Sequence, residues 1–211
     1  MKPGAGAGSE AGVIGVLDYG AGNLGSVLNA LERLGAKARF VKSPEELESG
    51  GVDKLLFPGD GHFGATMESL TRTGYAGALR AWIEADRPFL GICIGLQVLF
   101  DYSEEAPGVR GLGLIRGGVK RFPGRKVPQI GWNNTQARPE SRLFRGVPEN
   151  SFFYYIHSYY TDCEEPGAVA ATAEYYVRYC CAVERGNLAA LQFHPEKSGA
   201  AGLRLLENWL R

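Results

Sequence analysis

Apolar positions along the chain follow two textures. Through roughly the first hundred residues, short apolar runs alternate with stretches whose apolar side chains recur every three or four positions. Val13–Leu17 is such a run, ended by Asp18-Tyr19-Gly20, and reads as a buried strand. From Asn23 to Leu34 the apolar residues Leu24, Val27, Leu28, Leu31 and Leu34 predict a helix that stops at Gly35. Ala38–Val41 reads as a second strand. Ser43-Pro44-Glu45-Glu46 predicts a helix start, with a Ser cap, Pro at the first position and Glu three residues after the cap. Lys54–Phe57 reads as a third strand, broken by Pro58-Gly59. A helix over Ala76–Ala85 precedes a fourth strand, Pro88–Ile92, and Ile94–Tyr102 is expected as a helix directly behind it.

After Gly108 short β-like runs dominate: Leu112–Ile115, Gly118–Phe122, Ser151–Ile156, Ala168–Ala171, Cys180–Glu184 and Leu188–Phe193. Ser198 then caps a last helix with Leu203, Leu206 and Trp209 on one face. The pattern predicts an α/β fold: an open, mostly parallel sheet flanked by helices, with an additional antiparallel section. No internal repeat or linker interrupts it, so residues 13–211 are expected to form a single domain. Met1–Gly12 is Gly/Ala-rich and expected to be a disordered tail. It has no apolar stretch of the signal-peptide kind, which favours a cytoplasmic protein.

Composition adds exclusions. A chain of 211 residues can bury a full core. Acidic and basic residues balance at 23 each, leaving no basic field to attract nucleic acid or an anionic membrane. No apolar run approaches bilayer length. The four cysteines, Cys93, Cys163, Cys180 and Cys181, lack CxxC spacing, and adjacent Cys180 and Cys181 would point to opposite faces of a strand. Reduced thiols are expected, and no metal site.

Chemistry concentrates in a few segments. In Phe89-Leu90-Gly91-Ile92-Cys93-Ile94-Gly95-Leu96-Gln97 an apolar strand runs into Cys93, a helix begins at once, and glycines sit two before and two after the cysteine. This is the geometry of the G-x-S-x-G nucleophile elbow with cysteine in place of serine. A helix N-terminus favours a thiolate, and the Ile94 N–H is placed to donate to an oxyanion. A cysteine packed as a small apolar residue is the plainer alternative, but it leaves the paired glycines unexplained.

The second segment is Gln192-Phe193-His194-Pro195-Glu196. In extended chain His194 and Glu196 share a face, with Pro195 keeping the segment extended. A carboxylate beside an imidazole fixes its tautomer and stabilises the imidazolium, which a Cys–His pair needs when sulfur attacks a carbonyl. Cys93, His194 and Glu196 are therefore the candidate triad for attack on a carbonyl. His62 and His157 lack a carboxylate two residues away. A third segment, Pro58-Gly59-Asp60-Gly61, is a Gly-rich turn after a strand. The backbone of Asp60 and Gly61 could supply a second oxyanion donor, although the turn by itself is equally well explained as an ordinary connection. Gly20-Ala21-Gly22-Asn23-Leu24-Gly25 matches the dinucleotide fingerprint. Asp18 at the strand end would repel a pyrophosphate, and no acidic residue follows the second strand to hold a ribose. No cofactor is expected.

Together these segments resemble the class I (triad) glutamine amidotransferases, a flavodoxin-like fold. They look most like the glutaminase subunits of imidazole glycerol phosphate synthase. The finer likeness rests on Asp18–Leu24, Pro58–Gly61, Gly111–Ile115, Val127–Asn133, His157–Tyr160 and His194–Gly199, and spans nearly everything after Gly12. The resemblance implies that Cys93 forms a glutamyl thioester and releases ammonia, with His194 moving protons. Gln97 and the backbone around Ser158 and Tyr159 would hold the amino-acid end of glutamine. It further implies delivery of ammonia to a (β/α)₈-barrel cyclase subunit in a heterodimer, with Asn23, Trp132 and Lys197 at or near the partner face. Asp60 departs from the apolar or neutral residue many relatives carry there. It implies a turn that rests inactive until the partner binds nucleotide. Two alternatives stand beside this reading: a glutaminase subunit for another synthase, such as the pyridoxal-phosphate one, and a non-catalytic thiol-sensor α/β protein.

Overall fold

Three strands that end side by side, β3, β4 and β13, set the plan of the molecule. The computed structural model describes residues 12–20 and 24–211. Its first half comprises β1 (Ile14–Leu17), α1 (Leu24–Arg33), β2 (Ala38–Val41), α2 (Glu45–Glu48), β3 (Lys54–Phe57), α3 (Phe63–Arg72), α4 (Tyr75–Glu84), β4 (Phe89–Ile92) and α5 (Ile94–Gln97). The second half comprises β5 (Tyr102–Ser103), β6 (Gly117–Arg121), β7 (Gln129–Asn134), β8 (Gln136–Ala137), β9 (Phe152–His157), β10 (Tyr159–Cys163), β11 (Val169–Tyr175), β12 (Val177–Arg185), β13 (Leu188–Leu191) and α6 (Gly199–Leu210).

The main sheet runs β2-β1-β3-β4-β13-β12-β10-β6-β5, with β11 on β12 and β8 on β11. Pairing is parallel from β2 to β13 and antiparallel from β13 through β12 and β10 to β6. The predicted parallel sheet with an antiparallel section is therefore the fold. Every residue of β1, β4 and β13 is buried, as a sheet covered on both faces requires. Alternate residues serve two cores. Leu55, Phe57 and Phe89 pack with α3 and α4 on one face, and Leu56, Leu90 and Ile92 pack with α1 and α6 on the other. Cys180 and Cys181 fall on opposite faces, and all four cysteines are free thiols.

Local expectations change at five points. The helix after Cys93 is one turn rather than nine residues, and the run Leu112–Ile115 is not a strand. The two corrections have one cause: the N–H groups of Leu112, Gly113, Leu114 and Ile115 donate to the carbonyls of Val98, Phe100 and Leu99, which a longer helix would need. Helix α3 lay unread between the glycine turn and α4, although Phe63, Thr66, Met67 and Leu70 carry its buried stripe. Pro44 takes the cap position of α2, and Glu46 accepts the Lys42 N–H at 3.3 Å, so the expected Ser43 box does not form. Ser198 precedes α6 without a side-chain cap, because its hydroxyl bonds elsewhere. The tail, up to Ala11, and Ala21–Asn23 lie outside the described residues.

Candidate active site

The carboxyl ends of β3, β4 and β13 bring the Pro58–Gly61 turn, Cys93 and His194 to one edge of the sheet, where open α/β sheets place their sites. Cys93 has φ 55° and ψ −104°, a conformation that L residues rarely adopt and that a nucleophile elbow requires. The flanking glycines follow from close approach. A Cβ on Gly91 would collide with the Gly95 carbonyl, and one on Gly95 with the Phe57 carbonyl at the end of β3. The Cys93 N–H donates to the Leu191 carbonyl at 2.7 Å, which locks the elbow to β13. Ile94 opens α5, so its N–H has no acceptor one turn back.

His194 is held from both sides. Its N–H donates to the Tyr154 carbonyl of β9 at 2.9 Å. The Ser198 hydroxyl donates to the His194 carbonyl at 2.6 Å and accepts the Tyr154 N–H at 3.0 Å. Nδ1 of the ring lies 2.8 Å from Glu196 Oε1, with both side chains almost wholly buried. The reason differs from the sequence expectation. Pro195–Lys197 forms a 3₁₀ turn instead of staying extended, and the turn swings Glu196 back onto the ring. Burial disfavours the imidazolium, but the hydrogen bonds and charges of Cys93 and Glu196 outweigh it and push the His194 pKa up to about 10. Nε2 nevertheless has no acceptor in full hydrogen-bond geometry.

Asp60 and Gly61 are exposed at the turn, and Gly61 has φ 147°. His62 caps α3, its Nδ1 accepting the Gly64 N–H at 3.1 Å, which anchors the turn at its far end. Tyr19 lies buried by the same turn, and desolvation is the main reason its pKa rises to about 12.

On the other side of the elbow a polar chain runs through the interior. Gln97 Nε2 donates to the Tyr159 carbonyl at 3.2 Å and to Gln192 Oε1 at 3.0 Å. Gln192 Nε2 lies 3.6 Å from Cys93 Sγ. His157 Nδ1 lies 2.7 Å from the Tyr159 carbonyl. Ser158 sits in the β9–β10 turn, its carbonyl accepting the Phe122 N–H at 3.2 Å. The Gln97 side chain therefore meets the Tyr159 backbone, with Ser158 one residue before it. Gln192 was given no role in the sequence reading, although a glutamine inside the apolar run Leu188–Phe193 is the sort of buried polar residue that signals a role; His157, noted there for lacking a carboxylate two residues away, joins the same chain.

The model of the glutamine amidotransferase class-I family matches residues 15–211. The chain belongs to that family. Among curated relatives of this amidotransferase chain, the imidazole glycerol phosphate synthase subunit HisH of Deinococcus radiodurans is 48% identical, covering 93% of this chain and 92% of the relative. The subunit of the same name from Dehalococcoides mccartyi is 42% identical over 94% of this chain and 97% of the relative. A crystal structure titled glutamine amidotransferase superposes with TM-score 0.73 at 23% identity, covering 94% of this chain and 99% of that one. The PurLQS structure from Thermotoga maritima gives 0.74 at 18%, covering 95% and 98%; both likenesses concern the fold.

The amidotransferase residues expected at a partner face are dispersed. Trp132 is 57% exposed on the β7–β9 ribbon, beside exposed Ile130, Phe152 and Ile156. Register puts Ile130 opposite Ile156 and Trp132 opposite Tyr154, so one face of the ribbon is an apolar patch. Lys197 is half-buried and lines a narrow cleft with Val27, Gly59, Asp60 and His194. Asn23 lies outside the described residues. Among the described residues no helix is long and apolar enough to cross a membrane, and no group of three His, Cys, Asp or Glu could hold a metal ion.

Proposed function

We propose that this chain is the glutaminase subunit of imidazole glycerol phosphate synthase, acting through Cys93, His194 and Glu196. The observation that carries the chemistry is His194 fixed at 2.8 Å by Glu196, at the sheet edge where Cys93 stands on a positive-φ elbow. Cys93 sulfur attacks the side-chain carbonyl carbon of glutamine, and the C–N bond breaks as His194 gives its proton to the departing ammonia. Water then adds to the thioester, His194 takes its proton, and the C–S bond breaks to release glutamate. Backbone N–H groups of Ile94 and of Asp60 or Gly61 face the developing oxyanion. Gln97, Ser158 and Tyr159 hold the amino-acid end of the substrate.

Ammonia passes to a (β/α)₈-barrel cyclase subunit in a heterodimer in the cytoplasm, and closes the imidazole ring there. The apolar face of the β7–β9 ribbon is the docking surface: Tyr154 on it is bonded directly to His194 and Ser198, so the patch adjoins the base. The curated relatives described above share one synthase name, so neither another ammonia-consuming synthase nor a thiol sensor is favoured. Glutamine carrying heavy nitrogen at its side-chain amide tests the delivery step. With the cyclase, its nucleotide substrate and excess unlabelled ammonium, the ring product carries the heavy label. Product labelled no more than the free ammonium pool would refute direct transfer.

A further inference from the structure

Gln192 is fully buried, and no step of the proposed reaction uses it. Its amide orientation is fixed by what surrounds it. The Tyr159 carbonyl only accepts, so the Gln97 amide presents Nε2 to it. The same Nε2 reaches Gln192, which must therefore turn Oε1 toward Gln97. That leaves Gln192 Nε2–H directed at Cys93 Sγ, 3.6 Å away. His157 donates to the other side of the same Tyr159 carbonyl. A backbone acceptor in the segment that holds the substrate thus sets, through two carboxamides, a hydrogen-bond donor on the nucleophile.

We infer that Gln192 is a further catalytic residue of the glutaminase reaction, its side-chain N–H stabilising Cys93 sulfur as the thiolate. The inference rests on the function proposed above. The donor matters most where negative charge returns to sulfur. During attack, the S–C bond forms and sulfur gives up its charge, so the N–H···S bond weakens. During hydrolysis of the thioester, water oxygen bonds to the carbonyl carbon, its proton goes to His194, and the C–S bond breaks with the electron pair going to sulfur. A donor already aimed at that atom favours its departure, in a site where the alternative is an unsolvated anion. Gln192 therefore speeds deacylation, and its donor favours sulfur wherever it carries charge. Because Gln97 holds the other end of the amide, occupancy of the Tyr159 segment reaches the sulfur through one shared hydrogen-bond chain.

The test uses Gln192→Met, which keeps the volume and removes the donor, and Gln192→Asn, which keeps the amide but withdraws it by one methylene. Two readouts are followed in the full chain with its partner subunit and nucleotide present. The first is the rate of iodoacetamide labelling at Cys93 against pH, resolved by peptide mapping. The mapping is needed because a hydrogen bond with Cys180 lowers the Cys163 thiol pKa to about 7, so that thiol would react as well. The second is the fraction of chain caught as glutamyl thioester by acid quench and mass measurement during turnover. Both variants are expected to label about tenfold more slowly at neutral pH, with the profile displaced to higher pH, and to accumulate thioester. Wild-type labelling and wild-type thioester levels in either folded variant would overturn the inference. A wild-type enzyme that releases no glutamate at all would instead sink the glutaminase reading, while the labelling profile would still decide whether Gln192 serves the sulfur.

Discussion

The parallel and antiparallel halves of the sheet contribute different things. In the parallel half, β3, β4 and β13 are covered on both faces and their ends are fixed by backbone hydrogen bonds and by glycine contacts that admit no Cβ. The reacting groups stand there, where position depends least on side-chain packing. In the antiparallel half, side chains from distant segments meet: Phe122, Tyr155, His157, Tyr160 and Tyr179 form one aromatic cluster, and the ribbon beside it keeps an apolar face uncovered. On the reading proposed above, the Ser158–Tyr159 part of substrate holding and the docking face fall in that half, while Gln97 stands on α5 behind the elbow. On that reading backbone geometry sets the nucleophile, and side chains form the docking face.

Removing the carboxylate from the parallel half is the strongest way to break this division. Glu196→Gln should lower kcat for glutamate release by on the order of 10²–10⁴ while leaving KM close to wild type, because it disturbs the imidazole and not the substrate contacts. Steady-state kinetics with the partner present check this.

Acid should single out the antiparallel half. Burial holds His157 neutral and pushes its pKa down to about 4, against 6.5 when free. Between those values the unfolded chain binds a proton that the folded one refuses, so stability falls as pH falls from 6.5 toward 4. The full loss attributable to this group is about 3 kcal/mol. Denaturant unfolding at pH 7 and pH 4.5 should show His157→Gln losing less stability on acidification than wild type. Equal losses would place the acid sensitivity elsewhere.

A smaller effect sharpens the contrast from the other side. Gly95→Ala forces a methyl group against the Phe57 carbonyl and should cost about 2–3 kcal/mol in chemical denaturation. Trp132→Ala, on the exposed ribbon face, should change the stability of the free chain by no more than about 0.5 kcal/mol. It should weaken partner binding in calorimetry by about 2 kcal/mol.

Legibility in the sequence follows the same division. The bounds of β2 and β3, the elbow at Cys93 and the His194–Glu196 pair were readable because each is written within a few residues. The length of α5 was not, because its missing hydrogen bonds go to Leu112–Ile115, a segment that had read as a strand. Nor was the place of Gln192 in the chain from Tyr159, since it lies 95 residues from Gln97 and meets it only across the sheet. The His194–Glu196 contact was foreseen for the wrong reason, since the proline begins a turn there instead of extending the chain.

The most direct test of the central claim is glutamate release from glutamine by wild type and Cys93→Ala, each alone and with the barrel subunit plus its nucleotide substrate. The account predicts strong release only by wild type in the complete mixture, and none from Cys93→Ala under any condition. Undiminished release by Cys93→Ala, or none by wild type with the partner demonstrably bound, would contradict it.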